Sequence, residues 1–397
     1  MAPKLISQWK SRLSNKRQLP LVIFRRCGGS SQRLFCAPHF MTRSGYSPWL
    51  NRFAILTAAA TLALIGIGGL VTSHEAGLAV PDWPTTYGYN MFLFPPSQWM
   101  GGIFYEHTHR LFASFVGLLT TVLAVWLWMK DSRRWMRWLG LGAFFAVVLQ
   151  GVLGGLRVTL LQDSLGVVHA TIAHLFLLLV SVIALATSSA WRRSDESHPG
   201  TKLPFSLRYL LVGATAMIVV QLILGAAMRH QHAGLAVPDF PLAYGKVWPS
   251  TDAASLETIN RNRTDGFDPK PITAFQIGLH MTHRIGALVT LLLTGLCAWN
   301  CRAQLGRQSG LAKLTCAWLA LIVLQAILGA STVWSRKAAD VATAHVVTGA
   351  ASLVLGGLLS VAANRLAQKS GISKIGARRS GFGAEPGARP KAFQVAG

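Results

Sequence analysis

Apolar residues run along this chain in long unbroken blocks rather than in the alternating or stripe-like patterns of a soluble fold. Eight blocks stand out, at about 53–71, 107–129, 139–161, 165–190, 209–228, 275–300, 311–334 and 341–364. A hydrocarbon core of about 30 Å takes roughly 20 helical residues to cross, so each block predicts a membrane-spanning helix. The expected fold is an all-α integral membrane protein.

The blocks fall into two sets of four, and the wording between them repeats. AGLAVPDWPTTYG from Ala76 returns as AGLAVPDFPLAYG from Ala233. THR from Thr108 returns from Thr282, and VLQGVLGG from Val148 returns as VLQAILGA from Val323. Such a long repeat is a duplicated structural unit rather than a solenoid. It predicts two pseudo-symmetric four-helix bundles over 51–191 and 209–364, joined by a linker at 192–208, with a basic tail at 1–50 and a disordered basic tail at 365–397.

Composition agrees with the pattern: 51% of residues are hydrophobic and 13% charged, about half the charge of a soluble domain. The net charge of +24 is unevenly placed. Lys and Arg collect in both tails and around Arg133, Arg193 and Arg307. The alternate connections carry Glu75, Asp82, Asp163, Asp239, Asp265, Asp268 and Asp340. This is the positive-inside arrangement, with both termini cytoplasmic. No basic groove with interleaved aromatics lies outside the tails, which argues against a nucleic-acid partner; the lipid bilayer is the expected one.

The first 50 residues contain no acidic side chain, which suits a basic tail that orients the first span, a mitochondrial transit peptide, or an over-long start with Met41 as the true one. Cys27 and Cys36 belong to that tail. Cys297, Cys301 and Cys316 lie near cytoplasmic helix ends, so none predicts a structural disulfide, and Cys297 and Cys301 read as packing residues.

Histidine carries the chemistry. His109, His169, His283 and His345 lie at the outer ends of the second, fourth, sixth and eighth spans, at nearly equal separations in both halves. Intramembrane ionisable residues are costly and usually functional. Neutral imidazole is a good axial ligand for haem iron, and two helices each offering one can bracket a flat macrocycle. The four are therefore candidate iron ligands in two sites; the alternative is interhelical hydrogen bonding. Arg110 and Arg284 follow two of them at the water boundary, where a guanidinium either pairs with haem propionates or snorkels to the interface.

At about 100° per residue, His107 points some 200° from His109, and His174 about 140° from His169, so neither reads as a ligand. His74, His230 and His232 read as solvated loop residues. Aligning the THR motifs sets Glu106 opposite His280. A carboxylate one turn before a ligand shares its face, so Glu106 points to a division of labour: one site does chemistry, the other holds a fixed cofactor. Its alternative is a simple pair with Arg110. The repeated GLAVPD loops read either as amphipathic lids over the outer haem edges or as plain turns, with Asp82 and Asp239 capping or holding them and Trp83 and Phe240 at the interface.

AGLAVPDWP, YGYNMFLFP, EHTHR, VVHATIAH and AHVVTGA, spread over residues 51–364, resemble the haem A synthase family. The resemblance implies oxidation of a methyl group of haem O to the formyl group of haem A, for use in cytochrome oxidase. It implies that His283 and His345 hold a haem b cofactor with Arg284 beside them. It implies that His109 and His169 flank the substrate haem with Arg110 beside them, and that Glu106 is the catalytic carboxylate. Haem O synthase, an electron acceptor and a homo-oligomer are the implied partners. Some family members carry an outer-loop cysteine pair; this chain has none, which tells against a mechanism that needs those thiols. The wording AGLAVPD favours a bacterial plasma membrane over the mitochondrial inner membrane. The competing classes are a di-haem electron-transfer cytochrome, which gives Glu106 no purpose, and a repeat-built transporter, whose midplane helix breaks are not evident.

Overall fold

The computed structural model describes residues 47–196, 203–263 and 270–380, with the side chains of 193–196 and 367–380 left aside. The N-terminal tail with Cys27, Cys36 and Met41, the side chain of Arg193, Asp265 and Asp268, and the chain beyond 380 lie outside the described residues.

Helices make up almost all of the described chain. They are α1 (Pro48–Ser73), α2 (Gly101–Lys130), α3 (Arg134–Leu160), α4 (Asp163–Thr187), the short α5 (Ser189–Glu196), α6 (Phe205–His230), the short α7 (Ala253–Arg261), α8 (Ala274–Leu305), α9 (Gly310–Trp334) and α10 (Ala339–Ser380). Eight of them, all but α5 and α7, are long and apolar enough to cross a membrane. Among the described residues no strand forms; two isolated bridges, Thr86 with Tyr89 and Ala243 with Lys246, close matching loop turns.

Local chemistry sets the helix ends. Ser47 caps α1 by accepting the Leu50 N–H, with Pro48 at the first helical position, where its missing N–H costs nothing. Thr273 and Gln276 form a reciprocal capping box at α8. The last helix continues to Ser380, past residue 364 where the eighth apolar block ends. Each added residue of a started helix gains a hydrogen bond, and the basic residues there suit a helix C-terminus.

Packing follows chain order. α1 lies against α2, α2 against α3, α3 against α4, and α4 returns to α1; α6, α8, α9 and α10 repeat the cycle. Across the two cycles, α10 packs on α1 and α4, and α4 on α6. Buried polar side chains tie these helices, as expected where lipid offers no water to bond. The Asn51 amide donates to the Ala184 carbonyl at 2.7 Å, joining α1 to α4. Thr215 meets Ser360 at 3.1 Å between α6 and α10. Arg229 donates to the Gly69 carbonyl at 2.7 Å and to Ser73, fastening α6 to α1. Large apolar side chains such as Leu118, Phe145, Leu288 and Ile327 point outward, the expected face toward lipid.

Candidate functional site: paired imidazoles beneath matched loops

The four histidines occupy α2, α4, α8 and α10, and each ring rests on a glycine of the spanning helix before it. A Cβ added at Gly68 would lie 3.1 Å from the Cε1 of His109, and one at Gly154 would lie 3.4 Å from that of His169. At Gly225 the distance to His283 is 3.5 Å, and at Gly329 to His345 it is 3.1 Å. Gly154 and Gly329 are the same letter of the VLQGVLGG and VLQAILGA repeats. The duplicated wording therefore builds four flat seats, each just wide enough for an imidazole.

All four rings lie deep among the helices yet keep accessible surface, as side chains lining a hollow do. His107, His174 and His280 are instead sealed. His107 packs between Phe94 and Trp99 and reaches Thr86 at 3.3 Å. The His174 Nδ1 meets the Ala170 carbonyl at 2.6 Å. Angular sorting thus separates His107 and His174 from the reachable rings; His280, one turn from His283 on the same side, is set apart only by its burial.

The geometry suits a metal shared by two imidazoles. A metal–nitrogen bond is about 2 Å, and a ring centroid lies about 1 Å behind its nitrogen, which puts such centroids roughly 6 Å apart. His283 and His345 stand 6.5 Å apart at 75°. The His345 Nδ1 lies 3.1 Å from the Gln325 carbonyl, the contact that fixes a ligand's tautomer, and its Nε2 lies 3.5 Å from the Gln325 amide nitrogen. The His283 carbonyl accepts from Gln221 at 2.9 Å. Nδ1 of His109 and of His283 is buried without a partner, a costly state for a polar atom, while His169 has a backbone contact to Gln150, the repeat's counterpart of Gln325. Among the described residues no group of three or more His, Cys, Asp or Glu side chains converges on an ion site.

Above the rings sit two loops of identical construction. In the first, the Asp82 carboxylate accepts the N–H of Tyr87 at 2.8 Å and of Gly88 at 2.9 Å, and the Thr85 hydroxyl. The Tyr87 hydroxyl donates to the Ala79 carbonyl at 2.5 Å. In the second, Asp239 accepts from Tyr244 at 2.7 Å and Gly245 at 2.9 Å, and the Tyr244 hydroxyl donates to Ala236 at 2.6 Å. Gly88 and Gly245 adopt φ of 77° and 73°, which only glycine takes freely. Of the two roles open to these aspartates, they hold the turn.

The arginines of the THR motifs clamp these loops. Arg110 donates to the carbonyls of Asp82 at 2.7 Å, Thr85 at 3.0 Å and Val80 at 2.9 Å, and to Glu106 at 2.7 Å. Arg284 donates to Leu242 at 2.9 Å, Asp239 at 2.7 Å and Val237 at 3.3 Å. Both guanidinium groups are engaged by loop backbone rather than left at a free surface. Glu106 completes the first clamp, its second oxygen accepting the Val80 N–H at 2.8 Å. The pair with Arg110, the alternative reading of Glu106, is therefore present, and it is buried. At the matching place His280 bonds the Ala233 backbone, so both residues brace a loop and only one brings charge.

Two features depart from the sequence reading. His230 is not a solvated loop residue: it ends α6 and is 8% exposed, lying so close to Gly166 of α4 that a Cβ there would fall 2.3 Å from its Cε1. The glycine opens room for it, and the helix runs two residues past the apolar block. Arg157, in the last turn of α3, was given no role by the sequence pattern, yet it lies in the electrostatic neighbourhood of His109, His169, Glu106 and Asp163. The signal for it was a lone basic residue at an outer helix end, against the positive-inside trend.

The family model described as COX15-CtaA, cytochrome oxidase assembly protein, matches residues 51–356. The chain belongs to that family. A protein of Alkalihalophilus pseudofirmus named haem A synthase is 25% identical over 307 residues, covering 75% of this chain and 92% of its own length. Its namesake in Shewanella oneidensis is 25% identical over 333 residues, covering 79% and 94%. That of Symbiobacterium thermophilum is 27% identical over 289 residues, covering 71% and 84%. The family match spans both sets of histidines and both clamped loops.

Proposed function

We propose that this protein is a haem A synthase, oxidising a porphyrin methyl group of haem O to the formyl group of haem A for cytochrome oxidase. What carries the reading is the doubled pair of enclosed, reachable imidazoles in a chain of this family, with a carboxylate one turn from one pair and a neutral imidazole at that place in the other. A di-haem relay would need no such difference, and the relatives' name gives it no support. The protein is a multi-pass bacterial membrane protein; the plasma membrane is the compartment we assign to it.

The two helix cycles act as two bundles with separate tasks. His283 and His345 hold a resident haem b, with Arg284 fixing the loop above. His109 and His169 flank the substrate haem O, with Arg110 fixing the loop there. Haem bracketed by two imidazoles supplies one-electron redox capacity. The chain's own contribution is position and field. The Gln325 carbonyl orients His345, the glycine seats keep the rings from swinging, and the Arg-clamped loops roof the outer ends and limit water.

Glu106 supplies the negative charge. Oxidising a porphyrin methyl develops positive charge on carbon, which a preorganised carboxylate in a poorly hydrated site stabilises or deprotonates. Each of its oxygens accepts one bond from the clamp, and a carboxylate oxygen has two lone pairs, so capacity remains on both. The change from methyl to formyl takes up the oxygen of a water molecule and releases protons and electrons; the electrons must leave to an acceptor, and haem O must arrive from the enzyme that makes it, and both are partners under this proposal.

The test is to express the chain with a haem O source and identify bound and released haems by chromatography and mass. Haem A is the expected product. Glu106→Gln keeps size but removes the charge and one of the two acceptors used by the Val80 N–H and Arg110, so haem A should fall well over tenfold, each tenfold being about 1.4 kcal/mol of barrier, with haem b retained and haem O or a partly oxidised haem accumulating. His283→Ala and His345→Ala should each lose haem b. Wild-type protein that yields only haem b would overturn the reading in favour of the relay.

A further inference from the structure

The clamps leave a gap in the account of the first site. A haem carries carboxylate side chains, and Arg110 is already bonded to three loop carbonyls and Glu106. Arg157 is differently placed. It stands three residues after Gly154, the seat of His169, and residues three apart share a helix face. It is therefore one turn toward the outer surface on the face that looks at the histidine pair. The fork of its guanidinium meets Gly77 of the first loop end-on: a Cβ there would lie 2.8 Å from Nη2 and 2.9 Å from Nη1, nearer than to Cζ at 3.2 Å.

No hydrogen bond holds that guanidinium among the described residues; it sits in the field of Glu106 and Asp163. The second half has no copy. Thr332 stands at the matching place and turns its hydroxyl back to the Leu328 carbonyl at 2.9 Å. The chain thus places a planar, forked cation with donor capacity left over at the first pair, whereas Arg229, near His345 of the second, is bonded to Gly69 and Ser73.

We propose that Arg157 is the carboxylate clamp of the first site, pairing with the propionate groups of the macrocycle bound between His109 and His169. This deepens the proposed function and rests on its assignment of that site. A guanidinium matches a carboxylate with two parallel bonds, and its height one turn above the rings sets which edge of the macrocycle faces the water. It is a positioning residue, fixing the in-plane orientation of the substrate and so which methyl group lies toward Glu106.

The test uses full-length protein in detergent, titrated with iron protoporphyrin IX and, separately, with its dimethyl ester, which has no anionic carboxylate. Binding is read from the change in Soret absorbance. Wild-type protein should bind the free acid roughly ten- to a hundredfold tighter than the ester, the range for charge-assisted hydrogen bonds. Arg157→Gln should bring the acid to the ester's affinity and leave the ester unchanged; Arg157→Lys, which keeps charge without the fork, should recover part of the difference. If Arg157→Gln binds the acid as wild type does, or weakens acid and ester alike, the assignment is overturned. His109→Ala separates the two levels. Should it lose the macrocycle while Arg157→Gln keeps wild-type selectivity, only the role of Arg157 falls; should it bind both ligands as wild type does, the site reading falls and takes the clamp with it.

Discussion

Asp82 shows how one side chain organises a whole loop, because it gathers two backbone N–H groups and a hydroxyl that the turn would otherwise leave unbonded. Burial alone would raise its carboxyl pKa; the Gly88 N–H, the Thr85 hydroxyl and the Tyr87 N–H outweigh that and hold it below the usual value. A depressed carboxyl contributes stability that is present above its unfolded pKa, about 3.9, and lost as pH falls through the lower folded value. The amides of Tyr87 and Gly88 should therefore stay protected from hydrogen exchange at pH 5 and lose protection only below the ordinary carboxyl value of about 3.9. Asp82→Asn should be poorly protected already at pH 5; protection factors equal to those of the wild type there would contradict the mechanism. The repeated Asp, Tyr and Gly were readable as a turn because the chain spells them twice, and the even-span histidines were readable for the same reason. Arg157 and His230 were not, since neither is repeated and each depends on a glycine from a distant segment making room.

Helices were the most legible level, because an apolar block of roughly 20 residues has few other uses. Their ends were less so, since capping and the reach of α6 and α10 depend on polar residues outside the blocks. The second outer loop gave no sequence signal. There α7 begins at Asp252, which caps it by accepting the Ser255 N–H at 2.9 Å, and it lays Leu256 and Ile259 on a cluster of Ala233, Val237 and Ile277. Nine residues are too few to show a periodicity that stands out from loop. Between the spanning helices the seats of the imidazoles offer a graded test. A methyl at Gly68 or Gly329 would come within 3.1 Å of a ring, whereas at Gly225 the 3.5 Å gap is ordinary contact. Gly68→Ala and Gly329→Ala should displace His109 and His345, shifting the haem spectrum and lowering haem retention several-fold. Gly225→Ala should leave His283 and its haem nearly unchanged. Equal loss in all three variants would show that the glycines serve helix packing in general rather than the rings.

At the scale of the molecule, the four candidate ligands, both clamped loops and Arg157 must share one side of the membrane for the two sites to exist. Helix contacts bring α10 onto α1 and α4, and α4 onto α6, and Arg229 bonds α1 from α6, so the two sets of helices are braced at the histidine end. Charge distribution supplies the orientation: the connections at Arg133–Arg134 and Arg307 are basic, and those with Asp82, Asp163, Asp239 and Asp340 carry acid, which places the former inside. Arg157 runs against the trend, but one outer Arg does not reverse a bias set by the loops together. A reporter active only outside the cytoplasm should therefore work when fused near Asp82, Asp163 or Asp340 and fail near Arg134, Arg193 or Arg307. With eight crossings, a fusion after Leu366 should fail as well. One reversed pair would remove a span from the count and put an imidazole of one pair on the opposite side from its partner. Neither pair could then bracket a common macrocycle, and the proposal of two haem sites would fall with the topology.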